Sequence, residues 1–387
     1  MDERVRTRVR LLDAVLRHPE CSRAELVSVL GLSRQTVTNV VAEAEEAGLV
    51  VQRPQLESEG PLIGRPPLRI SLAPDAAFAI GLDIGRDQVR SAVCDLQGRV
   101  LSLQAEPTDL TALPFETFDR ACELAHAALR DADVPAARVM GVGVGLPAPI
   151  DARTGTVHAR DFLPAWRGIQ PVAELRKRLQ MSIRLTNDAN AGAVGERLFG
   201  AARRISDALY IRLSAGIGVG LILDGLPYAG VAGIAGELGH TRVAETDHIC
   251  RCGNRGCLEL VASSVVVAER FSRSHGERVS VTELIELARV GDRSARRAII
   301  DAADAVGRTL AGAVNLLNPQ RVIVGGDLAA AGDILIEPLR SAVARGAVAP
   351  AVDTVEIVVG ELGERAEVLG AAAMQLERAP AVLAARM

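Results

Sequence analysis

Two histidines and three cysteines fall within eighteen residues of this chain, in the run HTRVAETDHICRCGNRGC from His240 to Cys257. No other feature restricts the fold so tightly. Thiolates at C-x-C and C-x4-C spacing (Cys250, Cys252, Cys257) can fold back around one ion, and Gly253 and Gly256 permit the tight reversal this needs. With His240 as fourth ligand, one imidazole and three thiolates form a closed tetrahedral site, a usual arrangement for structural zinc. Four protein ligands leave no open position for chemistry. His248 also fits as fourth ligand by spacing alone. C-x-C is too short for an ordinary disulfide. The first twenty residues carry arginines at 4, 6, 8, 10 and 17 and do not read as a secretory leader. A reducing cytoplasm is therefore expected, and it favours metal over disulfide. Cys21, Cys94 and Cys122 are scattered and read as small apolar residues.

A chain of 387 residues suggests two or three domains and can bury a large core. Only nine residues are aromatic, so alanine, valine and leucine must do most of the packing. No stretch approaches the roughly 20 unbroken apolar residues of a membrane helix, and no membrane partner is expected. The net charge of −4 does not announce a nucleic-acid binder, and Lys177 is the only lysine among 44 basic residues.

The local pattern of residues 1–72 says more than the total charge. Residues 5–18 place Val5, Val9, Leu12, Val15 and Leu16 at helical spacing, and Pro19 stops that helix. Ser22 caps a second helix, with Glu25 in capping-box position. After the Gly31-Leu32 turn, Ser33 caps a third, whose inward positions are Val37, Val40, Val41 and Ala44. This is helix, glycine turn, helix. The third helix opens on Ser33, Arg34, Gln35, Thr36, Thr38 and Asn39, side chains suited to base edges and phosphates in a major groove. LVVQRPQ and GRPPLRISLAP then read as the strands of a hairpin wing, with Arg65 placed to enter a minor groove. Ten arginines balance ten acids here, but Glu43, Glu45 and Glu46 lie away from the third helix's N-terminal half. A winged helix-turn-helix that binds DNA is the reading.

From residue 75 the pattern alternates strand, helix and glycine turn, so the remainder is α/β. Three apolar strands end in glycine-bearing turns: Asp83-Ile84-Gly85, Ser214 to Gly220 (SAGIGVG) and Gly325-Gly326-Asp327. Each is a place where backbone N–H groups can face an anion.

That order over residues 75–375 resembles the actin-like sugar kinases, and specifically the ROK family (repressors, open reading frames, kinases). The metal run resembles the family's H-x(n)-C-x-C-G-x-x-G-C-x-E signature. LTNDANAGAVGE resembles the segment bearing its catalytic aspartate. GLPAPID resembles a G-x-P-G-x-x-D loop, with Ala148 at a glycine position. GIAGELGH resembles its sugar-binding G-E-x-G-H. The resemblance implies sugar contacts at Asn187, Asp188, Glu237, His240 and Glu259. Asp188 would be the general base in a kinase. His240 would serve metal through one ring nitrogen and sugar through the other.

The kinases' nucleotide loops are altered. Where the family reads D-x-G-G-T this chain has Asp83-Ile84-Gly85-Arg86-Asp87, keeping the aspartate and losing a glycine and a hydroxyl. Asp87 would repel phosphate oxygens. The second loop has Ser214, Ala215 and Val219 where kinases carry glycine, threonine and glycine. The expected fold is therefore a two-lobed actin-like domain (first lobe 75–188, second 189–387) behind a winged helix at 1–72, with a terminal helix near 362–377 returning to the first lobe. The expected function is a cytoplasmic, sugar-responsive transcriptional regulator, a repressor, with structural zinc. It would bind operator DNA as a homodimer or dimer of dimers, the second lobe supplying the interface. The enzymatic alternative is an ATP-dependent sugar kinase carrying a DNA-binding domain.

Overall fold

A computed structural model describes residues 2–54, 68–110, 113–151, 154–157, 163–245 and 247–387. Three helices open the chain: α1 (Glu3–Arg17), α2 (Arg23–Leu30) and α3 (Arg34–Glu46). Ser22 and Glu25 form the capping box, and Gly31 ends α2 at φ 63°. Ser33 Oγ accepts from Thr36 N at 3.1 Å. The buried face of α3 is Val37, Val40, Val41 and Ala44, the set its periodicity indicates. In α1 the buried set is Leu11, Leu12, Ala14 and Val15, with Val9 and Leu16 packed at its margin. The shift has a tertiary cause, given below. Strands β1 (Val50–Pro54) and β2 (Leu68–Leu72) pair antiparallel as the wing, and Cys21 adds a one-residue bridge to Ile70. Arg65 lies outside the described residues.

Two five-stranded sheets follow. The first holds β3 (Phe78–Ile84), β4 (Gln88–Asp95), β5 (Val100–Pro107), β6 (Val139–Leu146) and β7 (Ile183–Asn187), in the order β5-β4-β3-β6-β7. The second holds β8 (Ala208–Leu213), β9 (Ile217–Leu223), β10 (Leu226–Pro227), β11 (Arg321–Gly325) and β12 (Glu356–Val359), in the order β10-β9-β8-β11-β12. In each, an antiparallel three-strand meander is extended by two parallel strands. The architecture is thus duplicated, which the residues of the two halves do not announce.

Helices cover both faces of the first sheet, so every residue of β3 is buried. On one face lie α4 (Pro114–Asp131) and α5 (Pro171–Leu179), with Phe118 and Trp166 edge to face at 4.8 Å. Next in the chain comes α6 (Asp188–Phe199), which packs on β8 and β9 as well. Around the second sheet pack α7 (Ser264–His275), α8 (Val281–Arg289), α9 (Arg293–Leu317) and α10 (Asp333–Gly346). The chain then returns: α11 (Ala366–Leu376) lies on β3, β4 and β6 and along α6. Small residues make this possible. A Cβ on Gly143 would sit 1.8 Å from the Ala371 carbonyl oxygen, and one on Gly370 would sit 1.7 Å from that of Ala191. Only glycine allows backbone to meet backbone there.

The last short helix, α12 (Ala379–Leu383), packs against α1. Leu376, Ala379, Leu383 and Ala384 share one continuous core with Leu11, Leu12 and Val15. This contact explains the shifted buried face of α1. The N-terminal domain is closed by the chain's C-terminus. No helix among the described residues is long and apolar enough to cross a membrane.

Candidate functional site

The metal run folds as a compact reversal. Gly253 (φ 87°) and Gly256 (φ 68°) take left-handed backbone, and Cys250 N donates to Asn254 O. One ligand atom each from His240, Cys250, Cys252 and Cys257 lies within 4.8 Å of the others. Cys250 Sγ is 3.5 Å from His240 Nδ1, and Cys252 Sγ is 3.6 Å from Cys257 Sγ. A tetrahedron with zinc bonds of about 2.3 Å to sulfur and about 2.0 Å to nitrogen has edges of roughly 3.5–3.8 Å. The four donors therefore fit zinc. His248 is exposed and stands outside this cluster, so the geometry selects His240 of the two histidines. Burial, then the neighbouring thiols, push the Cys257 thiol up to about 12. Taking up a cation would thus release thiol protons and weaken in acid. Cys21, Cys94 and Cys122 are buried elsewhere, and burial raises each of their thiols.

Beside the run lies a cleft between the two sheets. Asn187, Asp188, Glu237, His240 and Glu259 all line it, together with Arg86, Arg212 and Arg251. Each group has a structural partner as well. Asn187 is the N-cap of α6, its Oδ1 accepting from Ala189 N at 2.9 Å and Asn190 N at 3.2 Å, while Nδ2 donates to Ala148 O at 3.3 Å. Asp188 Oδ1 accepts from Ala189 N at 2.8 Å, and Oδ2 lies 3.3 Å from Arg212 Nη1. Glu259 Oε2 accepts from Ile217 N at 3.1 Å and Arg251 Nη2 at 2.6 Å. Glu237 Oε2 is 3.6 Å from His240 Nε2. The imidazole therefore turns Nδ1 to the thiols and Nε2 to the cleft. Burial raises Glu237 to about 7, helped by Asp188 and Glu259. Burial lowers His240 and so favours the neutral ring a metal ligand must have.

Sequence reasoning missed a buried charge network behind Asp188. Arg212 Nε is 3.1 Å from Glu367 Oε1, and Tyr210 donates its hydroxyl to the same oxygen at 2.8 Å. Asp83 is wholly buried, 3.4 Å from Arg90. Burial alone would lower Arg212, but Asp188, Glu367 and Asp83 together hold it above its ordinary value. A signal was present, since an arginine inside the apolar strand LYIRL must have buried acid partners. Glu367, distant in sequence, gave none.

Asp83 supplies a pH test. Burial first, then Glu367, raise it from 3.8 to about 7. Between those values the folded chain binds a proton that the unfolded chain has lost, so this group's contribution to stability falls as pH rises toward about 7 and is flat above. Asp83→Asn should remove that limb of the pH–stability curve. Urea melts between about pH 5 and about pH 8 that show the same slope in both proteins would refute the assignment.

The turns expected to face phosphate are tied to one another. Asp327 N donates to Ser214 Oγ at 3.1 Å, and Ser264 Oγ donates to Asp327 Oδ2 at 3.0 Å. The backbone donor of the third turn is thus occupied by the serine that replaces a glycine in the second. Asp188, the would-be base, is ion-paired.

In the N-terminal domain Arg34, Gln35, Thr38 and Asn39 are exposed along α3, with Ser33 at its cap and Thr36 half-buried. Gln35 Nε2 donates to Asn39 Oδ1 at 2.8 Å, a paired amide face. Glu43 is held by Arg4 and Arg8, whose guanidinium groups keep its carboxyl below the usual range, and Glu45 accepts from Gln52. These acids are matched internally and sit away from the exposed amides.

Residues 79–378 match the ROK family and residues 6–57 match the MarR family. The xylose repressor of Caldicellulosiruptor bescii is 29% identical over 384 residues, covering 94% of each chain. The glucokinase of Thermotoga maritima is 37% identical over 251 residues, covering 61% of this chain and 79% of its own. The DNA-binding transcriptional repressor Mlc of Escherichia coli is 30% identical over 325 residues, 81% of this chain and 79% of its own. Among solved structures, a ROK family transcriptional regulator described as a homologue of that protein superposes with TM-score 0.80 at 22% identity, covering 99% of both chains. A ROK family glucokinase from Streptomyces griseus, in complex with glucose and AMPPNP, superposes with TM-score 0.67 at 29% identity over 77% of this chain and 99% of its own.

Proposed function

We propose that this chain, which belongs to the ROK family, is a sugar-responsive transcriptional repressor that binds operator DNA through its winged helix. One observation carries the reading most of the way: the cleft that gathers Asn187, Asp188, Glu237, His240 and Glu259 is joined by α6, α11 and α12 to the helices that present Gln35 and Asn39. A relative that covers 94% of the chain, and so extends into the winged helix as well as the α/β domain, is named a xylose repressor. The altered nucleotide turns and the Asp188–Arg212 pair support a binder over a kinase.

In this reading the acids, the Asn187 amide and His240 Nε2 take the hydroxyls of a sugar. Zinc, held by His240, Cys250, Cys252 and Cys257, is structural and supplies a rigid wall. Asp188 is the first residue of α6, so lobe closure on the ligand moves α6 and with it α11. The chain's last helix carries that shift to α1. Two winged helices in a two-fold homodimer would then leave operator half-site spacing. The protein works in the cytoplasm, where its operator is. By linkage, a sugar that weakens DNA binding must bind the DNA complex less well by the same factor.

The reading is tested by operator binding with and without a saturating panel of hexoses, pentoses, amino sugars and their acids and phosphates. At least one member should lower operator affinity about tenfold or more, a coupling of about 1.4 kcal/mol. Operator affinity indifferent to every member would sink the effector role. The same panel with ATP should release no ADP above background, and turnover would restore the kinase alternative. On the DNA side, Asn39→Ala should cost about 1–3 kcal/mol at the operator while changing non-specific binding little. Equal losses on both DNAs would remove Asn39 from base reading.

A further inference from the structure

We propose that the effector is a monosaccharide carrying one negative charge, a sugar acid, and that Arg86 holds its carboxylate. The inference rests on the reading of the cleft as the effector site and names the ligand class for it.

Three guanidinium groups line the cleft, and two of them are ion-paired. Arg212 stands 3.3 Å from Asp188 and 3.1 Å from Glu367. Arg251 stands 2.6 Å from Glu259. Arg86 is different. Its Nη2 is sealed from solvent and has no hydrogen-bond partner, and no ion pair forms to it among the described residues. A buried donor without an acceptor is costly, more so when charged. The turn that carries it is held in place: Gly85 N donates to Gln88 O at 2.9 Å, and Leu110 N donates to Arg86 O at 3.1 Å. The turn is thus fixed, and it places a half-buried guanidinium with one sealed, unpartnered nitrogen at the edge of a site otherwise built for hydroxyls.

Charge decides between the two common acidic groups of sugars. One unmatched guanidinium can balance one negative charge. A phosphate monoester brings about −1.5 to −2 at neutral pH. It would meet the carboxylates of Asp188 and Glu259 in the cleft, where the other two lining guanidinium groups are already ion-paired. A carboxylate brings a single charge and presents two oxygens to a planar fork of donors. The placement also has a consequence for closure. Arg86 belongs to the β3–β4 turn of the first sheet, whereas Glu237, His240 and Glu259 belong to segments of the second lobe. A ligand with an acid at one end and hydroxyls at the other would tie the lobes together.

The experiment is calorimetric titration of the full chain, with zinc in the buffer, against matched sets: glucose, glucuronate, gluconate and glucose phosphate, and the galactose and xylose equivalents. At least one sugar acid should bind about tenfold or more tighter than its neutral counterpart, and tighter than its phosphate. In Arg86→Gln that acid-to-neutral ratio should fall to near one, the neutral sugar serving as internal control for a folded cleft. A neutral sugar or phosphate that binds as tightly as the acid overturns the inference, as does a ratio unchanged in Arg86→Gln. Either result leaves the cleft as an effector site. Absence of binding by every compound would remove that site altogether, and this inference with it.

Discussion

Replacing Cys252 with serine is expected to leave the chain without zinc and to weaken effector binding by about ten- to a hundredfold. Serine does not ionise near neutral pH, so one of four donors is lost and the site opens. Cys252 is the least buried of the three thiols, which keeps the change from disturbing the core directly. The consequence travels through two residues. His240 Nδ1 loses the ion that orients the ring, and Nε2 then no longer holds its place 3.6 Å from Glu237. Glu259 follows Cys257 by two positions, and its hold on Ile217 N and Arg251 depends on where that reversal sits. Metal content by elemental analysis and sugar affinity by calorimetry read the two effects separately. Metal lost with sugar affinity intact would break the proposed link. Metal retained would show that Cys252 is not a ligand. A chelator on the unchanged chain should mimic the substitution, and metal loss should come more readily as pH falls, because the thiols regain their protons.

Arg212→Leu is expected to destabilise the α/β domain by about 3–5 kcal/mol at neutral pH, the usual cost of removing one partner from a buried ion pair. The guanidinium is shared by Asp188 and Glu367, and Asp83 feels it as well. Without it, buried carboxylates face one another. They can escape by binding protons, so the loss should shrink as pH falls and grow as pH rises through neutrality. Urea melts at about pH 5 and about pH 8 should therefore differ in the size of the loss. Equal losses would mean that the leucine fails through packing and not through charge. The substitution also unties Asp188, so an accompanying rise in ATP-dependent turnover would revive the enzymatic alternative.

Much of this was readable along the chain because it depends on near neighbours. The capping box at Ser22, the turn at Gly31 and the buried face of α3 follow from helix period and caps alone. The metal run is legible for the same reason: its cysteines lie close in sequence, so loop closure brings them together whatever the rest does. The choice between His240 and His248 was different, because both lie within reach and only the folded reversal excludes the second. Asn187 was read as a sugar contact, and its place in the cleft does not prevent its amide from also capping α6. Spacing cannot separate those uses.

The sequence by itself determined the N-terminal helices, the alternating α/β character of the rest, which residues could hold a metal, and which nucleotide-loop positions depart from the kinase pattern. These are local statements, governed by periodicity, caps and the chemistry of single side chains. Tertiary structure alone decided the rest. It set α11 on the first sheet through glycine contacts between segments over two hundred residues apart. It joined Arg212 to Glu367 across 155 residues, and it closed the DNA-binding domain with the C-terminal helix. The physical reason is that a buried charge or a close backbone contact is worth having only when its partner is present, and that partner's position is set by the whole fold and not by neighbours in the chain.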